Sequence, residues 1–287
     1  MSASHFVIDA ARLAGQFERE PFAVRHRLTD HALLQLPRLI ELATVLPESS
    51  VEYNQADLPI EQEYLATPRN GLTIDQTMRQ IEDCKSWMVL KNVERDPQYK
   101  ALLDECLEEI APHVRTISPQ LEHREAFVFI SSPQAVTPYH CDPEHNFLLQ
   151  IRGNKVMTIF DRGDPRAISE RHMEAMAFGA HRNLPYTEDM AALGRPFPLA
   201  PGDGVHVPMY CPHWVRVGQA VSISLSVTFR SLVSVRRDAA LRVNARLRRF
   251  GISPVPPLQS SWRDHAKQAV DRALGFVERA ARPASRG

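Results

Sequence analysis

Apolar and polar residues alternate most strictly over 221–229. There Ile223, Leu225, Val227 and Phe229 fall on one side, and Ser222, Ser224, Ser226 and Thr228 on the other. A two-residue period predicts a strand with one face on a core and the other free to line a polar cavity. Short runs rich in β-branched and aromatic residues predict further strands at 6–8, 21–25, 87–90, 126–131, 146–153, 155–160 and 205–208. Helical spacing over 28–46 follows two capping residues, Thr29 and Asp30, and Pro37 is expected to kink or break that helix. Thr73 caps a helix carrying Ile74, Met78 and Ile81. Asp96-Pro97 opens another, with Leu102, Leu103, Cys106, Leu107 and Ile110 as its buried stripe. The polar stretch 161–197 reads as an irregular insertion.

Beyond Ser231 the pattern changes. Arg236, Arg237, Arg242, Arg246, Arg248 and Arg249 crowd one helical stretch, and Gly251 ends it. Pro254, Pro256 and Pro257 form a linker to a last helix from Ser261, with Trp262, Ala266, Val270, Leu274 and Val277 on its apolar side. The predicted organisation is a mixed N-terminal region over 1–120, a β-rich core over 121–232, and a basic helical tail over 233–287.

Composition narrows the function classes. The chain has 287 residues, enough for a full core. Its formal net charge is zero, which gives no overall field toward nucleic acid or anionic lipid. The arginine run therefore reads as a solvated helix face rather than a nucleic-acid site. No apolar run reaches transmembrane length, and the first residues lack the basic start and apolar block of a secretory signal. Cys84, Cys106, Cys141 and Cys211 show no CxxC pairing, so reduced thiols in the cytoplasm are expected. Twenty-two prolines favour strands and loops over a helical bundle.

The chemistry concentrates at His140-Cys141-Asp142 and at His213. In an extended strand, residues two apart share a face, so His140 and Asp142 can reach one metal ion while Cys141 points away. His213 from a neighbouring strand completes two imidazoles and a carboxylate on one side of the ion. That set leaves positions open for substrate and oxygen, as a non-haem Fe(II) oxygenase needs. An inward-pointing Lys155, amid apolar residues, needs an anionic partner. Cys141 and Cys211 read as buried packing residues. His145, His172, His181 and His206 read as bystanders, with an outer-sphere role left open for His206. Arg216, Ser224 and Ser226 are candidate pocket groups.

The order Thr137-Pro138-Tyr139-His140-Cys141-Asp142, Asn146, Asn154-Lys155, Pro201-Gly202-Asp203 and Pro208 to His213 resembles the JmjC-type, cupin-like 2-oxoglutarate oxygenases. Within that family it is most similar to the asparaginyl hydroxylase branch. The resemblance covers roughly 127–230 and implies a double-stranded β-helix (jelly-roll), mostly β, flanked by N-terminal and C-terminal helices. It implies Fe(II) on His140, Asp142 and His213. Lys155 and Thr137 would meet the distal carboxylate of 2-oxoglutarate, and Asn146 would stand near the metal. Thr228 occupies the place of an asparagine near the cosubstrate, and Phe127 or Phe129 stands where a relative offers a tyrosine hydroxyl. The implied reaction consumes O2 and 2-oxoglutarate, releases succinate and CO2, and hydroxylates a protein or peptide side chain. The alternatives are the same chemistry on a small molecule, and a metal-binding cupin that is no oxygenase. The resemblance also implies a homodimer through the C-terminal helices.

Overall fold

The computed structural model describes residues 4–62 and 70–281, with side chains up to 276. Among the described residues, twelve strands form two antiparallel sheets. They are β1 (Phe6–Val7), β2 (Phe22–His26), β3 (Val51–Gln55), β4 (Ser86–Leu90), β5 (Leu121–Ser131), β6 (Val136–His140), β7 (His145–Arg152), β8 (Lys155–Ile159), β9 (Arg195–Leu199), β10 (Asp203–Val207), β11 (His213–Val217) and β12 (Ser222–Ser231). The large sheet runs β1-β2-β10-β7-β12-β5-β4-β3 and the small one β6-β11-β8-β9. This is a double-stranded β-helix with helices outside it. The first ninety or so residues supply β1 to β4, which extend the large sheet at both edges.

Strand alternation decides what lies on each side of the large sheet. Ile223, Leu225, Val227 and Phe229 of β12 join Phe147, Leu149 and Ile151 of β7 in an outer core with Leu102, Leu103, Leu107 and Ile110 of α4 (Pro97–Val114). The opposite face, with Leu148, meets Met157, Ile159, Val215, Val205 and Val207 inside the barrel. Local chemistry sets the helix starts. Asp96 accepts from the Gln98 amide with Pro97 in the first turn, and Thr73 and Gln76 form a reciprocal capping box ahead of α3 (Ile74–Arg79).

Several expectations need correction. Pro37 kinks nothing, because α2 (Leu36–Val45) begins beside it and its missing N–H falls where no helical partner exists. Residues 28–35 instead form a turn and one 3₁₀ segment, Ala32–Leu34, that bury Leu28 and Leu34. The stretch 161–197 is not irregular throughout. It holds α5 (Glu170–Met176) and a 3₁₀ segment (Glu188–Leu193), and Met173, Met176 and Leu184 pack with Tyr139. The short helix α1 (Ala10–Gln16) and strands β3, β6 and β11 carry too few residues for a readable period.

The tail forms α6 (Leu232–Arg249) and α7 (Ser261–Ala281). α7 turns its polar side inward. Asp271 pairs with Arg242 at 2.6 Å and Arg246 at 3.2 Å, Lys267 donates to the Val255 carbonyl, and Asp264 accepts from the Leu258 amide. Arg248 pairs with Glu170 and Glu174 of α5, so much of the arginine run is engaged within the fold. Trp262, Ala266 and Val270 face outward; the Val277 side chain lies outside the described residues. Among the described residues, no helix is long and apolar enough to cross a membrane.

Candidate metal centre

His140 and His213 lie directly opposite each other in the β6–β11 ladder, which puts both imidazoles on one face with ring centroids 4.2 Å apart. Each ring is fixed by its own chain. His140 Nδ1 lies 2.8 Å from the Pro138 carbonyl, and His213 Nδ1 lies 2.9 Å from that of Cys211. A carbonyl only accepts, so both Nδ1 atoms carry the proton and both Nε2 atoms present a lone pair. These Nε2 atoms stand 3.9 Å and 3.7 Å from Asp142 Oδ2. The three ligand atoms lie within 4.8 Å of one another. A lone-pair set of two imidazoles and one carboxylate on one side of a point suits a divalent transition metal.

Asp142 reaches this point by a different route from the one alternation suggests. β6 ends at His140, and Asp142 sits in the following loop. Its carbonyl accepts from the Tyr210 amide at 2.6 Å, and its Oδ1 accepts from Arg182 Nη1 at 2.7 Å, leaving Oδ2 for a metal. Burial pushes the Asp142 carboxyl up, but Arg182, His140 and His213 together hold it well below the ordinary carboxylate range. Burial and the neighbouring His140 push His213 down to about 4, which keeps it neutral and able to ligate.

Lys155 points into the barrel and is 6% exposed. Burial alone pushes it down to about 7. Its Nζ donates to Ser224 Oγ, which in turn donates to Gln150 at 2.8 Å. No carboxylate meets it among the described residues. Ser226 donates to Asn146 Oδ1 at 2.8 Å, and Thr228 donates to the Glu125 carbonyl at 3.1 Å. A cavity of about 450 Å³ opens over this floor. Its wall takes in Thr137, His140, Asp142, Asn146 and Thr228, with Phe127 and Phe129, while His213 and Lys155 are buried.

The sequence model of the cupin-like domain family matches residues 66–233, more than half of the chain. The chain belongs to the cupin-like domain family. Among solved structures, YcfD, a ribosomal oxygenase from Escherichia coli in complex with cobalt and 2-oxoglutarate, matches with a TM-score of 0.50 at 14% identity. That match covers 95% of this chain and 68% of the other. A second structure of E. coli YcfD gives 0.51 at 16% identity, covering 98% and 70%. At such identities the likeness is one of fold. No curated protein matches the sequence.

Several residues of this cupin-like site escape the sequence. Arg182 comes from the 161–197 stretch, and it contacts Glu144 Oε2 at 3.3 Å as well as Asp142. Glu144, buried and pushed up by that burial, also meets Arg230 at 3.1 Å. Nothing in the spacing marks either residue, since 40 positions separate Arg182 from Asp142. Trp87 of β4 was legible only as part of a strand, yet it lines the cavity. His181 lines it too, outside the His140–Asp142–His213 group. His206 stands apart from the His140–Asp142–His213 set; it faces away from the barrel interior, stacked on Phe17 at 5.0 Å, as His145 is at 4.8 Å. Arg216 is exposed and lies over Trp214, outside the pocket. Cys141 and Cys211 are buried free thiols, with Cys141 against Met176.

Proposed function

We propose that this protein is an Fe(II)- and 2-oxoglutarate-dependent oxygenase that hydroxylates a protein or peptide side chain. The observation that carries the reading is the pairing of a one-sided His140–Asp142–His213 set with a buried lysine lacking a carboxylate partner. A structural or Lewis-acid cupin has no use for such a lysine, whereas a dicarboxylate cosubstrate does. When bound, Fe(II) would supply the redox chemistry that couples O2 and 2-oxoglutarate to C–H hydroxylation, with succinate and CO2 released.

The chain's own residues do the rest. His140 and His213 offer Nε2 and Asp142 offers Oδ2, all oriented before metal arrives. Lys155, across β11 from Thr137 at the same end of the barrel, would hold the distal carboxylate with it, and Asn146 and Thr228 would border the metal-side end. Phe127 and Phe129 add apolar surface to the cavity lining. Thr137, Asn146 and Lys155 at their spacing from His140 support the asparaginyl hydroxylase branch. YcfD, described as a ribosomal oxygenase, supports a protein substrate. Four unpaired thiols suit a reducing cytoplasm.

A second copy of the chain is the partner proposed for α7. Its outward face carries Trp262 and Phe276 at the ends and Ala266, Ala269 and Ala273 between. Two such helices crossing antiparallel would set each large ring against the other's, with alanines allowing close approach. Light scattering on wild type and Trp262→Glu tests this, and equal monomeric masses would dismiss it.

The function is tested by oxygen-dependent succinate formation from 2-oxoglutarate after anaerobic Fe(II) loading, in wild type, His140→Ala and Lys155→Ala. Turnover lost in both variants is expected. Metal binding without any 2-oxoglutarate binding to the wild type would overturn the oxygenase reading.

A further inference from the structure

The indole of Trp87 stands on the cavity wall beside Phe127, Phe129 and Thr137. Its Nε1–H is buried and finds no acceptor among the described residues. An N–H shut from water without a partner is costly enough that most such groups in folded proteins find one. The ring packs on Ala135 and Val217, at the end of the barrel away from the metal ligands. Val217 lies directly opposite Lys155 in the β11–β8 ladder, and Thr137 sits opposite Val215 on the other side of β11. Indole, ammonium and hydroxyl therefore converge on one end of the barrel, and neither of the two buried donors there meets a carboxylate.

We propose that Trp87 Nε1–H is a binding donor for the distal carboxylate of the cosubstrate, standing in for the hydroxyl that Phe127 and Phe129 cannot offer. This rests on the oxygenase reading above. A neutral donor added to Lys155 lets the site take an anion without a second buried charge, which would raise the desolvation penalty. Because the N–H has no contact with cavity water, receiving a carboxylate requires the indole to turn. Ligand binding thus becomes visible in the ring itself.

The test uses metal-loaded full-length protein, with Zn(II) as a diamagnetic ion and 2-oxoglutarate as the probe. Trp87, Trp214 and Trp262 are the three tryptophans, so Trp214→Phe and Trp262→Phe proteins identify the Trp87 indole resonance without altering Trp87. Adding 2-oxoglutarate is expected to move that N–H proton downfield and to change the near-ultraviolet circular dichroism. Calorimetry is expected to show Trp87→Phe binding 2-oxoglutarate roughly ten- to a hundred-fold more weakly, as loss of one bond to a charged acceptor implies. An unmoved indole resonance with unchanged affinity in Trp87→Phe, while Lys155→Met loses binding, would overturn the role of Trp87 and leave the oxygenase reading standing. No binding of 2-oxoglutarate by wild type would overturn both.

Discussion

The affinity for 2-oxoglutarate should fall as pH rises through neutrality, and Lys155 sets where. Its pKa drops from 10.5 to about 7 on burial. At about 1.4 kcal/mol per pH unit, holding the charged ammonium in the barrel costs on the order of 5 kcal/mol before any anion arrives. Below about pH 7 the amine is charged and ready; above it the amine is neutral and must take up a proton to pair with a carboxylate. The dissociation constant should therefore rise about tenfold per pH unit above 7, until it reaches the pKa of the amine in the complex. Calorimetry in two buffers of different ionisation enthalpy measures the proton uptake. It should approach one proton per ligand near pH 8 and fall to about a tenth near pH 6. Lys155→Met should bind weakly at every pH and show no such uptake. Wild-type affinity and uptake that stay flat from about pH 6 to pH 9 would refute the account, since Lys155 would then not meet the anion in a charged state.

Other outcomes follow from the same geometry. The unfolded lysine, at its ordinary pKa, binds more protons than the folded one between about pH 7 and 10.5, so this group makes stability rise with pH across that window. Lys155→Met should consequently raise the melting temperature near pH 6 more than near pH 9, as thermal denaturation at the two values will show. Asp142→Asn should weaken Zn(II) or Co(II) binding by more than about a hundred-fold, beyond the effect of losing an outer contact, read by equilibrium dialysis. Arg182→Ala frees Asp142 Oδ1 and should weaken the same metals by about ten- to a hundred-fold with the fold intact. Leu225→Ala, at a position 2% exposed between β12 and α4, should cost about 2–5 kcal/mol in urea unfolding without changing metal affinity.

What could be read from the sequence divides along physical lines. The alternation in β12 told core face from cavity face correctly, because a period of two is a property of the strand itself. The capped starts at Thr73 and Asp96 were equally local, and each cap bonds as its residue type requires. Pro37 was misplaced because the same ring that breaks a helix interior is favoured in a first turn, and only tertiary packing decides where the helix begins. The spacing in α7 showed an apolar side but not which way the helix would turn it. The arginines of α6 draw Asp271 inward, and Trp262, Ala266 and Val270 are left outside. At the centre, His140, Asp142 and His213 stand together as their residue types suggested. The groups that aim them were illegible, because the Pro138 and Cys211 carbonyls are main chain and Arg182 arrives from far along the sequence.

The 161–197 stretch is sewn to the very strand that ends in His140. The Cys141 amide donates to the Arg182 carbonyl, the Leu184 amide donates to that of Tyr139, and His140 and Asn183 form a bridge. Residues 179–183 also wall the cavity. On the function proposed above, substrate selection and metal retention would therefore not be separable modules. Grafting a foreign loop here would disturb the strand that carries His140 and the cavity wall at the same time. A library aimed at new substrates would do better to spare 180–184 and to vary the opposite wall at Glu52, Asn54 and Val89.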